Sequence, residues 1–383
     1  MAIPFLTSPA KPRFQAQIIL AWLGLFSFAT CANAQSQQKL VSSPRPPDVP
    51  GEWKSLVGIY EYNSDNNPKQ TTILLERDQH LYLQPQGSPE QIEEIREMQG
   101  SVWVGDKSGR WYGYSEQRDK DGTVIALSYL TEHFIRVDAS GDPSHSYRIK
   151  LVRPVEDLRR ASLADSPPAE AGPFRKPDLL ELAPLDSAIH LDIRYASENN
   201  FLGTPVYSQA RAFLQSPAAE ALVRVLRKLK PLGYGLLIHD AYRPWYVTKI
   251  FWEATPPEEK IFVADPAQGS RHNRGCAVDL TLYDLTTGKP IEMPGTYDEM
   301  SPRSFPNFPG GTSLQRWHRD LLRRAMESEG FTVYDAEWWH FDYKDWKEYP
   351  VLNIPFEKLG LEQGSSLTHW KFSFISIHLE DVP

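Results

Sequence analysis

An aspartate interrupts what should be a continuous apolar strand. In Ala277-Val278-Asp279-Leu280-Thr281-Leu282 the chain alternates, with Val278, Leu280 and Leu282 on one face and Asp279 and Thr281 on the other. A carboxylate on a buried strand is costly unless it is paired, hydrogen-bonded or bound to a metal. A polar, loop-like stretch, Ser270-Arg271-His272-Asn273-Arg274-Gly275-Cys276, comes just before it. His272 precedes Asp279 by seven residues, across a glycine turn, and can reach the same point. Two readings stand: a carboxylate held by backbone amides, or part of a metal site.

A second segment bears on the choice. Glu337-Trp338-Trp339-His340-Phe341-Asp342-Tyr343 sets a Glu and a His among aromatics. Strand parity puts Glu337 and His340 on opposite faces, so one shared site needs a bend or bulge. By itself the segment also reads as aromatic core with a satisfied histidine. Taken together, His272, Asp279 and His340 supply two imidazoles and one carboxylate. That is the three-ligand set of a catalytic zinc with one open position. Zinc acidifies water, and a non-ligand carboxylate, Glu337, is placed to move the proton. Arg243 ends the apolar run 234–239 through Asp240-Ala241-Tyr242 and offers a cation for a developing oxyanion, or is an ordinary surface arginine. His80, His133 and His145 read as surface or satisfied imidazoles, and His318, among Arg and Asp, as part of a solvated helix face.

Segments 71–75, 81–83, 101–104, 123–129, 134–137 and 147–152 are β-branched or aromatic runs separated by Gly, Asn and Asp turns. With a short helix over 89–98, they predict a small all-β barrel or sandwich over 51–160. The excess proline, 32 of 383 residues or about 8% against roughly 5% on average, clusters beside it. Prolines at 44–50 mark a linker over 35–50, and those at 167–177 mark a second over 161–177. Beyond it, Ser216-Pro217 opens an amphipathic helix as N-cap and first-turn proline, with Leu222, Val225, Leu226 and Leu229 on one face. A second helix runs 313–329 to Gly330, followed by a strand over 331–334. The mixture predicts an α+β domain over 178–357 with a mixed or antiparallel sheet flanked by helices. The tail 358–383 alternates at Trp370, Phe372 and Phe374, which permits an extra strand.

Residues 1–34 read as an export signal. Lys11 and Arg13 precede an apolar run over 18–29, and Ala32-Asn33-Ala34 is an A-x-A cleavage site. Lipidation at Cys31 fits less well, because Phe28 and Thr30 replace the aliphatic and small residues of that signal. Cleavage removes two positive and no negative charges, taking −8 to −10. It also leaves Cys276 as the one thiol, so no internal disulfide is available. An acidic chain is a poor nucleic-acid partner.

Residues 178–357 resemble the D-alanyl-D-alanine dipeptidase family, the VanX-type zinc peptidases. The likeness rests on Asp192-Ile193-Arg194-Tyr195-Ala196, Asn199-Asn200-Phe201, Tyr242-Arg243-Pro244, the 270–282 stretch, Tyr297-Asp298 and Glu337-Trp338-Trp339-His340. It implies that His272, Asp279 and His340 bind one Zn2+, that Glu337 is the general base and acid, and that Arg243 stabilises the tetrahedral intermediate. It further implies that Tyr195, Ser270 and Asp298 hold the substrate's free ammonium group. Cys276 stands where the family has a smaller or hydroxyl residue, and reads as a small buried side chain. The expected activity is hydrolysis of D-Ala-D-Ala and related D,D-dipeptides, met outside the inner membrane in the periplasm or beyond. Alternatives are a zinc carboxypeptidase acting on longer peptidoglycan stems, and a non-catalytic cell-wall binding protein. The signal assignment predicts a mature chain that begins at Gln35; N-terminal sequencing of the exported protein checks it, and an intact Met1 terminus would refute it.

Overall fold

The computed structural model describes residues 40–360, except 65–66, 99–100, 106–107 and 138–146. The export segment with Cys31, His145 and the alternating tail around 370–374 lie outside the described residues. Among the described residues, no helix is long and apolar enough to cross a membrane.

Eight strands form an antiparallel closed barrel. They are β1 (Gly58–Ser64), β2 (Asn67–Arg77), β3 (His80–Pro85), β4 (Glu93–Met98), β5 (Ser101–Gly105), β6 (Trp111–Arg118), β7 (Val124–Tyr129) and β8 (Glu132–Arg136). Each strand pairs with the next, and β8 returns to β1 through Tyr62↔Phe134 and Tyr60↔Arg136. Alternation sends Tyr60, Leu74, Leu81, Leu83, Ile95, Val102, Leu127 and Phe134 into the interior, and a register shift between β6 and β7 lets Val124 join them. Helix α1 (Gly51–Leu56) adds Leu56 and Trp53 to that core at the end where β1 and β7 begin. Two expectations fail here. The segment read as a helix over 89–98 contains β4, because closure needs a partner for both β3 and β5 and outweighs local propensity. The run 147–152 is irregular rather than a strand, since every barrel strand already has both neighbours.

The span read as all-β also ends early. Helix α2 (Val155–Leu163) buries Val155, Leu158 and Ser162 and packs on α4 (Trp245–Ala254). Beyond it, a five-stranded sheet has the order β10 (Ile189–Leu191), β12 (Tyr234–Asp240), β13 (Ala277–Asp284), β15 (Glu337–Tyr343) and β14 (Phe331–Tyr334). The β10–β12 pair is parallel and the others are antiparallel. A short pair joins β9 (Leu179–Glu181) to β11 (Phe213–Gln215). Helix α3 (Ser216–Leu229) packs on β12 and on α5 (Ser313–Glu327). Ser216 is not the cap: it lies inside the first turn, and its hydroxyl donates to Asp178 at 2.5 Å. His318 is not on a solvated face. It is buried on α5 with its Nε2 3.0 Å from the Tyr234 hydroxyl, because that flank of the helix meets β12. The class is α+β, preceded by a β-barrel.

The barrel docks on the loop that leads into α5. Leu75 bridges Gly311, and Ile59, Ile73 and Leu75 cluster with Phe308. Buried Glu76 accepts the Ser313 backbone N–H at 2.6 Å, at the first turn of α5, where the orphan donors of a helix lie. Arg316 donates to the Glu76 carbonyl at 2.7 Å. Removing a buried acceptor leaves its donors unsatisfied, so Glu76→Ala is expected to cost about 1–3 kcal/mol; an unchanged denaturation midpoint would show that this joint carries no stability.

Candidate metal centre and active site

Three strands place a row of ionisable groups on one face of the sheet. Asp279 on β13 pairs across the ladder with His340 on β15 and, on its other side, with Asp240 on β12. Directly opposed residues project to the same face. The ladder reaches this row through two irregularities. Between Ile238 and Asp240 the β12 strand carries one residue more than β13, which re-aims Asp240. Between Val333 and Tyr334 the register on β15 jumps from Phe341 to Glu337. That jump supplies the bulge that strand parity demanded. Glu337 and His340 share one pocket, with Glu337 Oε2 3.6 Å from His340 Nδ1.

His272 comes from the loop before β13. A short 3-10 turn, His272–Arg274, ends at Gly275, whose φ of 66° is left-handed. A Cβ at Gly275 would lie 2.5 Å from Leu179. Ser270 begins the turn and its hydroxyl accepts the His272 N–H at 3.2 Å. Fully buried Asn273 accepts from Ser270 N–H and donates to the Arg243 carbonyl and to Thr248, so it ties this loop to the one bearing Arg243.

The ligating atoms are prepared by their outer partners. His272 Nδ1 lies 2.6 Å from the Ala241 carbonyl, an acceptor only, so the proton sits there and Nε2 keeps its lone pair. His340 Nε2 lies 2.9 Å from Asp342 Oδ1, which leaves the lone pair on Nδ1. Asp279 divides its oxygens. Oδ2 accepts from the Tyr297 hydroxyl at 3.2 Å, and buried Oδ1 has no hydrogen-bond donor. His272 Nε2, His340 Nδ1 and Asp279 Oδ1 then face one another at 3.1, 3.0 and 3.4 Å. Three lone pairs that close repel unless a cation lies between them. Ligands about 2.0–2.2 Å from a tetrahedral ion are about 3.3–3.6 Å apart, so a shift of a few tenths of an ångström suits the cluster to a small divalent metal. Cys276 is buried but outside this set, and burial pushes its thiol up to about 12.

Electrostatics follow the same geometry. Burial works to raise the Asp279 carboxyl, yet His272 and His340 hold it far below the usual carboxylate range. Burial lowers the proton affinity of His340, but Asp342 and Asp279 raise it further, and the same charges favour a metal. Burial, with help from Asp279, pushes Glu337 up to about 7 against the pull of His340. Arg243 stays charged despite burial because Asp240 accepts from its Nε at 3.0 Å and lies 2.8 Å from its Nη2 as an ion pair. Its Nη2 is 3.9 Å from Asp279 Oδ2, and the guanidinium lies over Phe251 and Tyr195.

The pocket has a volume of about 110 Å³, and all eight sequence-predicted site residues line it. In the same pocket, the Tyr195 hydroxyl donates to both oxygens of Asp298, at 3.0 and 2.8 Å. Asp298 has φ of 58°, a left-handed value that costs a non-glycine residue energy and recurs at functional sites. Glu299 holds the loop in that shape by accepting from Thr296 and Ser301. Burial and the nearby Asp279 charge raise the Asp298 carboxyl well above its usual range.

Known proteins share this part of the chain. A family profile described as D-ala-D-ala dipeptidase matches residues 175–357. The D-alanyl-D-alanine dipeptidase of Escherichia coli is 35% identical over 179 residues, covering 47% of this chain and 91% of that protein. Those of Enterococcus faecium and Streptomyces coelicolor are 35% identical each, covering 95% and 89% of their lengths. This chain belongs to the D-alanyl-D-alanine dipeptidase family. The family match begins well after the barrel ends, so the barrel is an addition to the family's fold.

Several residues of this family site escaped the sequence reading. Asp240, Asp342, Tyr297 and Asn273 stand in the motif segments, where residue type and spacing assign them no role. Asp342 alone carried a usable signal, since a residue two after His340 shares its strand face. The others depend on loops that meet only in the fold. Outer partners of metal-ligating histidines tune affinity by about 10–100-fold. Asp342→Ala is therefore expected to weaken metal binding by about that factor, read by competition with a chromogenic chelator; unchanged affinity would remove Asp342 from this role.

Proposed function

We propose that the protein is an exported zinc dipeptidase that hydrolyses D-Ala-D-Ala and related D,D-dipeptides. The observation that carries the reading is the convergence of His272, Asp279 and His340 beside Glu337, with Asp298 held by Tyr195 in the same small pocket. When bound by this set, zinc supplies Lewis acidity at the scissile carbonyl and lowers the pKa of water.

The chain's own groups do the rest. Glu337, beside the ligand set but outside it, accepts the proton of the attacking water and returns it to the leaving amine nitrogen. Arg243 is pinned by Asp240, so its charge is already in place when the oxyanion forms and needs no reorganisation. Asp298, oriented by Tyr195, accepts the substrate's free ammonium group. Ser270 shapes the turn that presents His272 and lines the same pocket. An ammonium clamp closes the N-terminal side, which favours a dipeptide over a stem peptide that extends there.

Export rests on the 1–34 segment, and the substrate would then be dipeptides released from cell-wall peptides. The test is a dipeptide panel of D,D, L,D and L,L stereochemistry on protein of measured metal content. One equivalent of zinc and a D,D preference are expected, with Glu337→Ala keeping the metal and losing about two to four orders of magnitude in rate. Faster release of D-Ala from a pentapeptide than from the free dipeptide, or activity confined to L,L substrates, would overturn the assignment.

A further inference from the structure

The barrel is not filled from end to end. An eight-stranded barrel either packs its interior with side chains or holds one small ligand. Here one end is packed: α1, Tyr60, Leu74 and Val124 occupy the region where β1 and β7 begin. The opposite end opens into a cavity of about 950 Å³, at the upper end of the ligand-pocket range of about 300–1,000 Å³. Its wall consists of the inward-facing positions of the strands, as the registers Tyr62↔Phe134, Leu83↔Glu93, Val104↔Tyr112 and Tyr129↔Glu132 require.

The wall has a definite chemistry. Tyr62, Tyr112, Tyr114, Tyr129 and Phe134 form a connected aromatic surface, with neighbouring ring centroids 4.8–5.6 Å apart. Glu93 and Glu132 face the same space, with Glu90 at the rim, and no Lys, Arg or His is among the described residues that line it. The Tyr114 hydroxyl donates to Glu132 and fixes the direction of that carboxylate. Burial and the Glu132 charge push the Tyr114 phenol far up, so it stays a neutral donor. Aromatic faces and carboxylates share one preference. Ring quadrupoles attract cations, and a carboxylate beside an apolar wall gains most from a cationic partner. A neutral ligand of the same size, a sugar for example, would offer those carboxylates no charge partner.

We propose that the open end of the β-barrel is a binding site for an organic ammonium compound, a positively charged amine carried on an apolar body. The aromatic wall receives the body and the ammonium face, and Glu132 and Glu93 receive the N–H donors. The site is separate from the peptidase pocket and does not depend on the peptidase assignment. The barrel would give the protein a second recognition surface for amine-bearing molecules.

Calorimetric titration of the full-length protein with 2-phenylethylammonium chloride and with 2-phenylethanol tests this, since the two probes differ mainly in charge. The amine is expected to bind saturably and the alcohol at least about tenfold more weakly, a difference of about 1.4 kcal/mol. Asp298→Asn should preserve amine binding, because the peptidase clamp is not the site. Glu93→Gln with Glu132→Gln should abolish the preference for the amine while hydrolytic activity is retained. Should the double variant fail to fold, Glu93→Gln alone, at an exposed position, should still weaken the amine severalfold. Equal affinity for both probes, no saturable heat, or loss of binding in Asp298→Asn alone would overturn the proposal.

Discussion

Three ligand atoms that converge on one point, where only a shared cation reconciles them, govern this protein. His272 donates a hydrogen bond from Nδ1 to a backbone carbonyl, and His340 donates one from Nε2 to Asp342. Asp279 keeps one buried oxygen without a donor. Such a cluster is unfavourable as it stands, and a divalent cation turns the repulsion into coordination. Cys276 is a free, buried thiol, so in the described domain metal binding would do work that a disulfide does elsewhere. The bulges in β12 and β15, the left-handed Gly275 and the buried Asn273 all serve to hold those atoms in place.

The rest of the site is arranged around that centre at increasing distance. Arg243 is charged because Asp240 is buried with it, and Asp240 is in turn satisfied by Tyr207 at 2.7 Å and the Ala241 N–H at 2.8 Å. Removal of any member would leave a buried charge or donor unpaired, so the group acts as a unit. The loop after β13 bears Tyr297 and Asp298 and runs on to Phe308 and Gly311, where the barrel docks. A module outside the family's fold thus braces the loop that carries Asp298. That is a physical reason for the barrel to be tightly joined rather than tethered by its proline-rich flanks.

Much of the catalytic domain was legible because its signals are local. The helix over 216–229 follows from apolar spacing, and the strand over 234–240 from an unbroken apolar run. The eight candidate site residues were legible for a different reason: they stand in short ordered motifs, and the fold brings all of them to one pocket. The barrel was half legible. Strands β2, β3, β5, β7 and β8 carry β-branched or aromatic runs, whereas β4, Glu-Glu-Ile-Arg-Glu-Met, has the composition of a helix and is a strand only because the barrel closes through it. His318 was misplaced because charged sequence neighbours say nothing about which helix flank meets β12.

By itself the sequence determined which residue types could do chemistry here: an aspartate in an apolar strand, two histidines, a glutamate and an arginine at fixed separations. Those identities follow from composition and period, which are properties of the chain. Tertiary structure decided which nitrogen of each imidazole is free, which oxygen of Asp279 is left over, and that Glu337 shares a face with His340 despite its parity. It also decided that one end of the barrel is packed and the other open. Each of these depends on partners remote in sequence, on strand register and on the twist and closure of sheets. Local propensity does not encode any of them.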